Sequence, residues 1–263
     1  MDMGLKGTVA FVAAASQGLG EAIALGLARE GASVAMCARR KDEIEAAAER
    51  VRAATGSKVL ALQADVTVPD QIEAAIHETV QQLGGLDILV TNAGGPPAGP
   101  FVKHDDEAWQ KAFDLNLMSV VRMTRMALPH LQRSGRGRII NLSSTSVKQP
   151  VESLILSNSI RMSVIGLAKT LSIELAPYSI TVNNIATGRI DTARIRSLDA
   201  NRAQNLSISE EEAKALAITQ IPAGRYGVPE EMAHLAVFLA SDKAAYITGT
   251  TIPIDGGMLK ASL

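Results

Sequence analysis

The sequence predicts a doubly wound α/β fold in which a seven-stranded parallel sheet carries helices on both faces. Three observations carry that expectation. Seven short apolar runs alternate with stretches of helical periodicity, the order that crossover connections impose on a parallel sheet. The first run, Thr8 to Ala13, passes through a small-residue turn into Gly18-Leu19-Gly20 and a helix. Later runs end in polar or glycine-rich breaks, and the carboxyl ends of strands are where open α/β sheets place their ligands.

Taken in order, residues 8–30 set the first half of a site. Ile23 and Leu27 mark the apolar stripe of the helix, and its leading N–H groups form a natural anion site. Glycines there let a pyrophosphate approach the backbone. Ala14, Ser16, Gln17, Gly18, Leu19 and Gly20 are therefore candidates for a dinucleotide cradle, against the alternative of a structural turn. A dinucleotide fingerprint starts with glycine, and here that place is taken by Ala14. The second strand, Ala32 to Cys37, ends in Ala38-Arg39-Arg40-Lys41. An acidic residue at this point would accept from a ribose 2′-hydroxyl; guanidinium groups instead fork onto a 2′-phosphate. Arg39 and Arg40 thus point to NADPH, the alternative being ordinary surface arginines at a helix start.

A helix over Asp42 to Ala54 and a strand over Lys58 to Gln63 follow. Asp65 and Val66 close that strand as candidates for the adenine end, with turn capping an equal reading for Asp65. Pro69 opens the next helix, which runs from Gln71 to Leu83. The fourth strand, Leu86 to Thr91, leads into Asn92-Ala93-Gly94 and a Gly/Pro loop to Pro100. Asp105-Asp106-Glu107 can stabilise the start of a broken helical region that reaches Leu131. Within it, Asn116 interrupts an apolar face, as a satisfied buried polar group or as part of a site. Strand five, Arg138 to Leu142, ends in Ser143-Ser144-Thr145-Ser146; a helix spans Ser153 to Leu175 and strand six Ile180 to Ile185. Residues 186–222 lack strand alternation and read as a lid or substrate-side insertion. It has two helical pieces, one from Glu210 to Thr219 capped by Ser209 with Glu212. A helix from Pro229 to Leu239 and a strand from Thr251 to Ile254 complete the chain.

Composition narrows the partners. A chain of 263 residues with 47% hydrophobic residues suits one ordered domain. A net charge of −1 gives no reason to expect nucleic acid or an anionic membrane as partner. No apolar stretch is long enough to span a bilayer and no signal-peptide core is present, so a cytoplasmic location is the expectation. Cys37 is the single cysteine and reads as a small core residue; His77, His130 and His234 form no metal set, so no metal is expected. His104 reads as a surface residue at a helix entry, with a substrate-facing position as the alternative. Val120, Val121, Met126, Leu167 and Leu171 exceed what one sheet face covers, which points to self-association or to cover by the 186–222 insertion.

The order and spacing of several short motifs resemble the short-chain dehydrogenase/reductase family, in its 3-oxoacyl-acyl-carrier-protein reductase-like branch. They are Ser16-Gln17-Gly18-Leu19-Gly20, Asp65-Val66, Asn92-Ala93-Gly94, Asn116 and Asn141-Leu142-Ser143-Ser144. Gly188-Arg189-Ile190-Asp191-Thr192, Arg225-Tyr226-Gly227 and Ile247-Thr248-Gly249 through Asp255-Gly256-Gly257 continue the match over nearly the whole chain. The resemblance implies a Rossmann-type fold, NADP(H) as cofactor and a homotetramer or homodimer. It further implies that Gly188, Ile190 and Thr192 contact the nicotinamide half, that Asn116 matches an active-site asparagine, and that Ser144 matches the serine holding a substrate carbonyl.

The family's tyrosine and lysine positions hold Ser157 and Arg161, and the chain's three tyrosines, Tyr178, Tyr226 and Tyr246, lie elsewhere. Serine is a far weaker acid than tyrosine, and arginine keeps its proton at neutral pH. Ser157 and Arg161 share a helix face one turn apart, so Arg161 can hold the nicotinamide ribose or stabilise negative charge directly. The expectation is an NADP(H)-dependent oxidoreductase acting on a carbonyl/alcohol pair through an atypical proton donor. Catalytic candidates are Asn116, Ser144, Ser157 and Arg161. The alternatives are a non-catalytic NADPH-binding sensor or complex subunit, and a dehydration or enoyl reduction on the same scaffold. Leu154, Ile155, Leu156, Leu198 and Leu206 favour an apolar substrate.

Overall fold

A computed structural model describes residues 2–261 of the chain. Seven strands form one sheet in the order β3-β2-β1-β4-β5-β6-β7. They are β1 (Val9–Ala13), β2 (Ser33–Ala38), β3 (Val59–Gln63), β4 (Ile88–Thr91), β5 (Arg138–Ser144), β6 (Thr181–Thr187) and β7 (Thr251–Ile254). Every pairing is parallel. β1 and β4 are neighbours although two strands separate them in sequence, so the chain reverses its winding direction between them. The ligand crevice of such a sheet opens at that switch point, beyond the strand carboxyl ends.

Both faces of the sheet are covered, which explains why its central strands are continuously apolar rather than alternating. Helices α1 (Gly18–Arg29), α2 (Lys41–Thr55) and α9 (Pro229–Ala240) bury Ile23, Leu27, Ile44, Ala47, Met232 and Ala236 against one face. On the other lie α3 (Pro69–Leu83), α4 (Asp106–Phe113), α5 (Ser119–Ser134) and α6 (Ile155–Glu174). Their buried contributions include Ile72, Ile76, Met123, Leu131 and Ala168. A buried ladder of side-chain amides ties the middle strands together below the crevice. Thr91 Oγ1 donates to Asn141 Oδ1 (2.7 Å), and Asn141 Nδ2 donates to Asn184 Oδ1 (3.0 Å). Satisfied in this way, the three polar groups fix the β4-β5-β6 register instead of weakening the core.

Two departures from the sequence reading bear on the site. β5 and β6 each run two residues further than the apolar pattern indicates, because Ser143 pairs with Ala186 and Ser144 with Thr187. Both serines at the strand end are therefore paired within β5, and the insertion begins only after Thr187 rather than at 186. Between α4 and α5, Asp114–Met118 widen into a π-helical turn, a device that re-aims side chains without ending the helix. The insertion folds as α7 (Ala193–Leu206) and α8 (Glu210–Ile218), and the Ser209–Glu212 capping box forms as expected. Among the described residues no helix is long and apolar enough to cross a membrane.

Cys37 is fully buried in β2. Burial pushes its thiol up to about 12, against a smaller opposing effect of the Ala14 backbone. Because the thiolate is the reactive form, a thiol reagent at mildly alkaline pH is expected to leave the native protein unlabelled and to label the denatured chain. Rapid labelling of the native protein contradicts this burial.

Candidate active site

A cavity of about 480 Å³ lies across the carboxyl ends of the strands. It brings together nearly all the candidate residues: Ala14, Ser16, Gln17, Gly18, Leu19, Arg39, Arg40, Asp65, Val66, Asn92, Ala93, Gly94, Ser144, Ser157, Arg161, Gly188, Ile190 and Thr192 line it. Two candidates do not. Gly20 lies outside the lining, and its role is steric: a Cβ there would stand 2.4 Å from the Ala14 carbonyl oxygen, so glycine lets α1 close onto β1. Asn116 is 4% exposed and sits behind the wall, donating from Nδ2 to the Gly94 carbonyl (3.0 Å). It positions the β4 loop rather than facing the cavity, and its Oδ1 is buried without a partner among the described residues.

At one end the geometry suits a nucleotide with a phosphorylated ribose. Gln17 is extended and caps nothing with its side chain, so no side chain competes for the first-turn N–H groups of α1. Gly18 has φ +59°, a conformation that would strain any residue with a side chain, and it packs at ordinary contact distance from Thr192 Cγ2. Arg39 is exposed on the rim and pairs with no carboxylate among the described residues, whereas Arg40 is clamped by Glu43. Of the two arginines expected near a 2′-phosphate, Arg39 is thus free, while Arg40 lines the cavity in an exposed ion pair. Asp65 takes the turn-capping role, its Oδ1 accepting from Thr67 N (2.9 Å) and Thr67 Oγ1 (2.8 Å), and it still lines the cavity.

Ala14 itself adopts φ +49°, a left-handed conformation that costs an L-residue energy. Its carbonyl accepts from Asn92 Nδ2 (3.4 Å), joining the β1 and β4 ends. Relief of that conformation, about 1–2 kcal/mol, outweighs the roughly 0.4–1 kcal/mol of unfolded-chain entropy that glycine adds, so Ala14→Gly is expected to raise the unfolding free energy by about 0.5–1 kcal/mol. Denaturant melts check this, and a destabilised variant contradicts it.

At the other end, Ser157 is 7% exposed and its hydroxyl lies 3.4 Å from that of Ser146, not against Ser144. Ser144 Oγ accepts from Ser146 N (3.1 Å), which leaves its proton free to donate. Arg161 Nη1 donates to the Leu142 carbonyl (3.1 Å). Burial, and then the charge of Arg194, lower the Arg161 pKa to about 10, so it stays a cation at neutral pH. No carboxylate pairs with it among the described residues.

None of the tyrosines lines this cavity. Tyr226, just past the insertion, is locked against α7, donating to Asp199 Oδ2 (2.9 Å) beside the Arg189–Asp199 pair (3.0 Å). Burial first, and the Asp199 bond second, push its phenol up to about 12. Tyr178 and Tyr246 are exposed. His104 does not line the cavity; it lies half-buried at the entry to α4, with its Nε2 buried near Gly99 without a partner among the described residues. Of the five apolar residues expected near substrate, Leu154 and Leu198 line the cavity; Leu156 is buried in the core and Leu206 is 51% exposed. Sequence reasoning missed Arg194 and Leu115 as lining residues, while Gly95 and Pro96 line the cavity within the Gly/Pro loop that follows β4. Among the described residues no group of His, Cys, Asp and Glu could hold a metal ion.

A family model described as Enoyl-(Acyl carrier protein) reductase matches residues 13–259. The chain is 39% identical over 252 residues to the 3-oxoacyl-[acyl-carrier-protein] reductase FabG of Staphylococcus aureus strain Mu50, covering 95% of this chain and 97% of that protein. The chain belongs to the short-chain dehydrogenase/reductase family. Within that family it is also 34% identical over 259 residues to FabG of Thermotoga maritima, covering 98% and 100% of the two chains. Its fold matches L-sorbose reductase from Gluconobacter frateurii, solved with NADPH and L-sorbose, with a TM-score of 0.94 and 33% identity over 99% of this chain and 100% of that one. It likewise matches YwfH, an NADPH-dependent reductase involved in bacilysin biosynthesis, with a TM-score of 0.92 and 32% identity over 97% and 99%.

Proposed function

We propose that this protein is an NADP(H)-dependent oxidoreductase that interconverts a carbonyl and an alcohol without a tyrosine proton donor. The observation that carries the reading is one cavity holding both halves of the machinery. An uncapped helix N-terminus and the unpaired Arg39 lie at one end, and Ser144, Ser157 and Arg161 at the other. Bound in that cavity, the nicotinamide supplies or accepts a hydride. The chain's own part is then electrostatic and positional. Ala14, Ser16, Gln17, Gly18 and Leu19 cradle the diphosphate, Arg39 takes the 2′-phosphate, and Asp65 and Val66 border the adenine. Asn92, Ala93, Gly94, Gly188, Ile190 and Thr192 frame the nicotinamide half. Ser144 donates to the substrate oxygen, and Arg161 stabilises the negative charge that gathers there. The proton reaches that oxygen from Ser157 or from water.

The segment after Thr187, with α7 and α8, serves as the substrate-side lid of a single-domain enzyme. Phe113, Met162 and Ile173 are exposed on α4 and α6, a surface suited to pairing with further copies of the chain in a dimer or tetramer. The cytoplasm is the fitting compartment for a cofactor of this kind. A second reading, reduction of a conjugated double bond, is favoured by one feature: an unpaired arginine stabilises an enolate without having to surrender a proton. The deciding experiment measures NADPH consumption against ketones, aldehydes, 3-oxoacyl thioesters and their enoyl counterparts, with product identification. An alcohol product supports the proposal, and a saturated carbonyl supports the second reading. NADPH binding with no turnover assigns the protein a sensor or subunit role.

A further inference from the structure

The nicotinamide end of the cavity contains more positive charge than hydride chemistry calls for. Arg194 stands in the first turn of α7, where the aligned peptide dipoles already present positive potential and acidic residues are normally favoured. No acidic residue occupies that turn. Asp191, the nearest carboxylate in sequence, is held by Arg196 at 2.6 Å. The Arg194 guanidinium folds back over the β4 loop, donating from Nη2 to the Pro96 carbonyl (2.9 Å). Gly95 makes room for it, since a Cβ at that position would lie 2.8 Å from Nη2.

Arg194 and Arg161 line the same cavity, and each lowers its charged form's stability through desolvation, with Arg194 also repelling Arg161. Among the described residues neither has a carboxylate within 4.0 Å. The acidic residues of the cavity wall are Glu43 and Asp65, both at the β2–β3 end and both engaged, by Arg40 and by Thr67. Two cations and a helix N-terminus thus face one space without a counter-charge. Leu154, Ile195 and Leu198 supply an apolar wall beside it.

We propose that Arg194 receives an anionic group of the substrate, a carboxylate or a phosphate carried on an apolar body, while Arg161 stays available to the reacting oxygen. This rests on the oxidoreductase reading for the word substrate, but its test is one of binding. Guanidinium groups recognise planar carboxylates and phosphates through paired, charge-assisted bonds, and in a partly desolvated space a neutral amide does not replace them.

Calorimetric titration of the NADP⁺-saturated protein with hexanoate, butyl phosphate and hexanamide tests it. At least one of the two anions is expected to bind at least ten-fold more tightly than hexanamide, and the better anion identifies the head group. Arg194→Met is expected to remove the discrimination while leaving NADP⁺ affinity within about three-fold. Gly95→Ala, which displaces the guanidinium without deleting it, is expected to reduce the discrimination in the same direction. Equal binding of amide and anion, or no binding of either anion, overturns the proposal. So does an Arg194→Met variant that weakens NADP⁺ ten-fold yet still prefers anions, which would assign the arginine to the cofactor's diphosphate. If no carbonyl is turned over while hexanoate still discriminates, the reaction assigned above fails and this site stands.

Discussion

Replacing Arg161 with alanine is expected to lower kcat for carbonyl reduction by about 100- to 1,000-fold, the usual cost of deleting a donor that faces developing negative charge. NADPH affinity should fall much less. The reasoning starts from what the side chain lacks. Arg161 spends one N–H on the Leu142 carbonyl and has no carboxylate partner among the described residues, so its charge is not neutralised before the reaction begins. A cation kept in a partly dry wall interacts more strongly with an alkoxide-like oxygen than the same cation in water. Arginine cannot hand over a proton at neutral pH, so its contribution is charge alone. Ser157→Ala then separates the two sources of the proton. A loss near that of the arginine variant assigns delivery to Ser157, while near-normal turnover assigns it to water. Thermal melts guard against a trivial loss of structure. Removing an uncompensated, desolvated cation should leave Tm unchanged or raise it. A folded Arg161→Ala variant that retains wild-type kcat overturns the assignment.

How much of this was legible in the sequence depends on how local the determining contacts are. The cradle was readable because strand, turn and helix start are contiguous over residues 8–20, and Arg39 because it directly follows β2. The capping box of α8 involves residues three apart and was readable for the same reason. For Gly20 the structural alternative also applies, because a side chain there would meet the Ala14 carbonyl. Ser143 and Ser144 are legible as the end of strand five, whereas their pairing partners Ala186 and Thr187 fall in the stretch that lacks strand alternation, so the last two rungs of the β5–β6 ladder are not. Asn116 turns behind the wall because the chain widens at Asp114–Met118, and no composition signal marks such a turn. Arg194 was invisible as a site residue because the carbonyl that holds it, that of Pro96, is 98 positions away. Its sequence neighbourhood resembles any helix start.

Charge reversal at Arg39 is expected to raise the Kd for NADPH by about 100-fold and to leave that for NADH within about three-fold. A hydrogen bond to a charged group contributes about 1.5–3 kcal/mol, roughly 10- to 150-fold, and a glutamate adds repulsion of the 2′-phosphate. The effect falls on this residue alone because its neighbour is occupied: Arg40 is clamped by Glu43, and Arg39 has no such partner among the described residues. Arg40→Ala should therefore cost far less than Arg39→Ala. Glu43→Ala, which frees Arg40, should restore part of the affinity lost with Arg39. The new glutamate can also accept from the 2′-hydroxyl of NADH, the bond an acidic residue makes at this place in dinucleotide folds. Because Arg39 is exposed, wild-type NADPH affinity should weaken as salt rises, and the Arg39→Glu variant should lose that dependence or reverse it. Equal losses for both cofactors would place Arg39 at the shared diphosphate instead. The 2′-phosphate assignment would then be wrong.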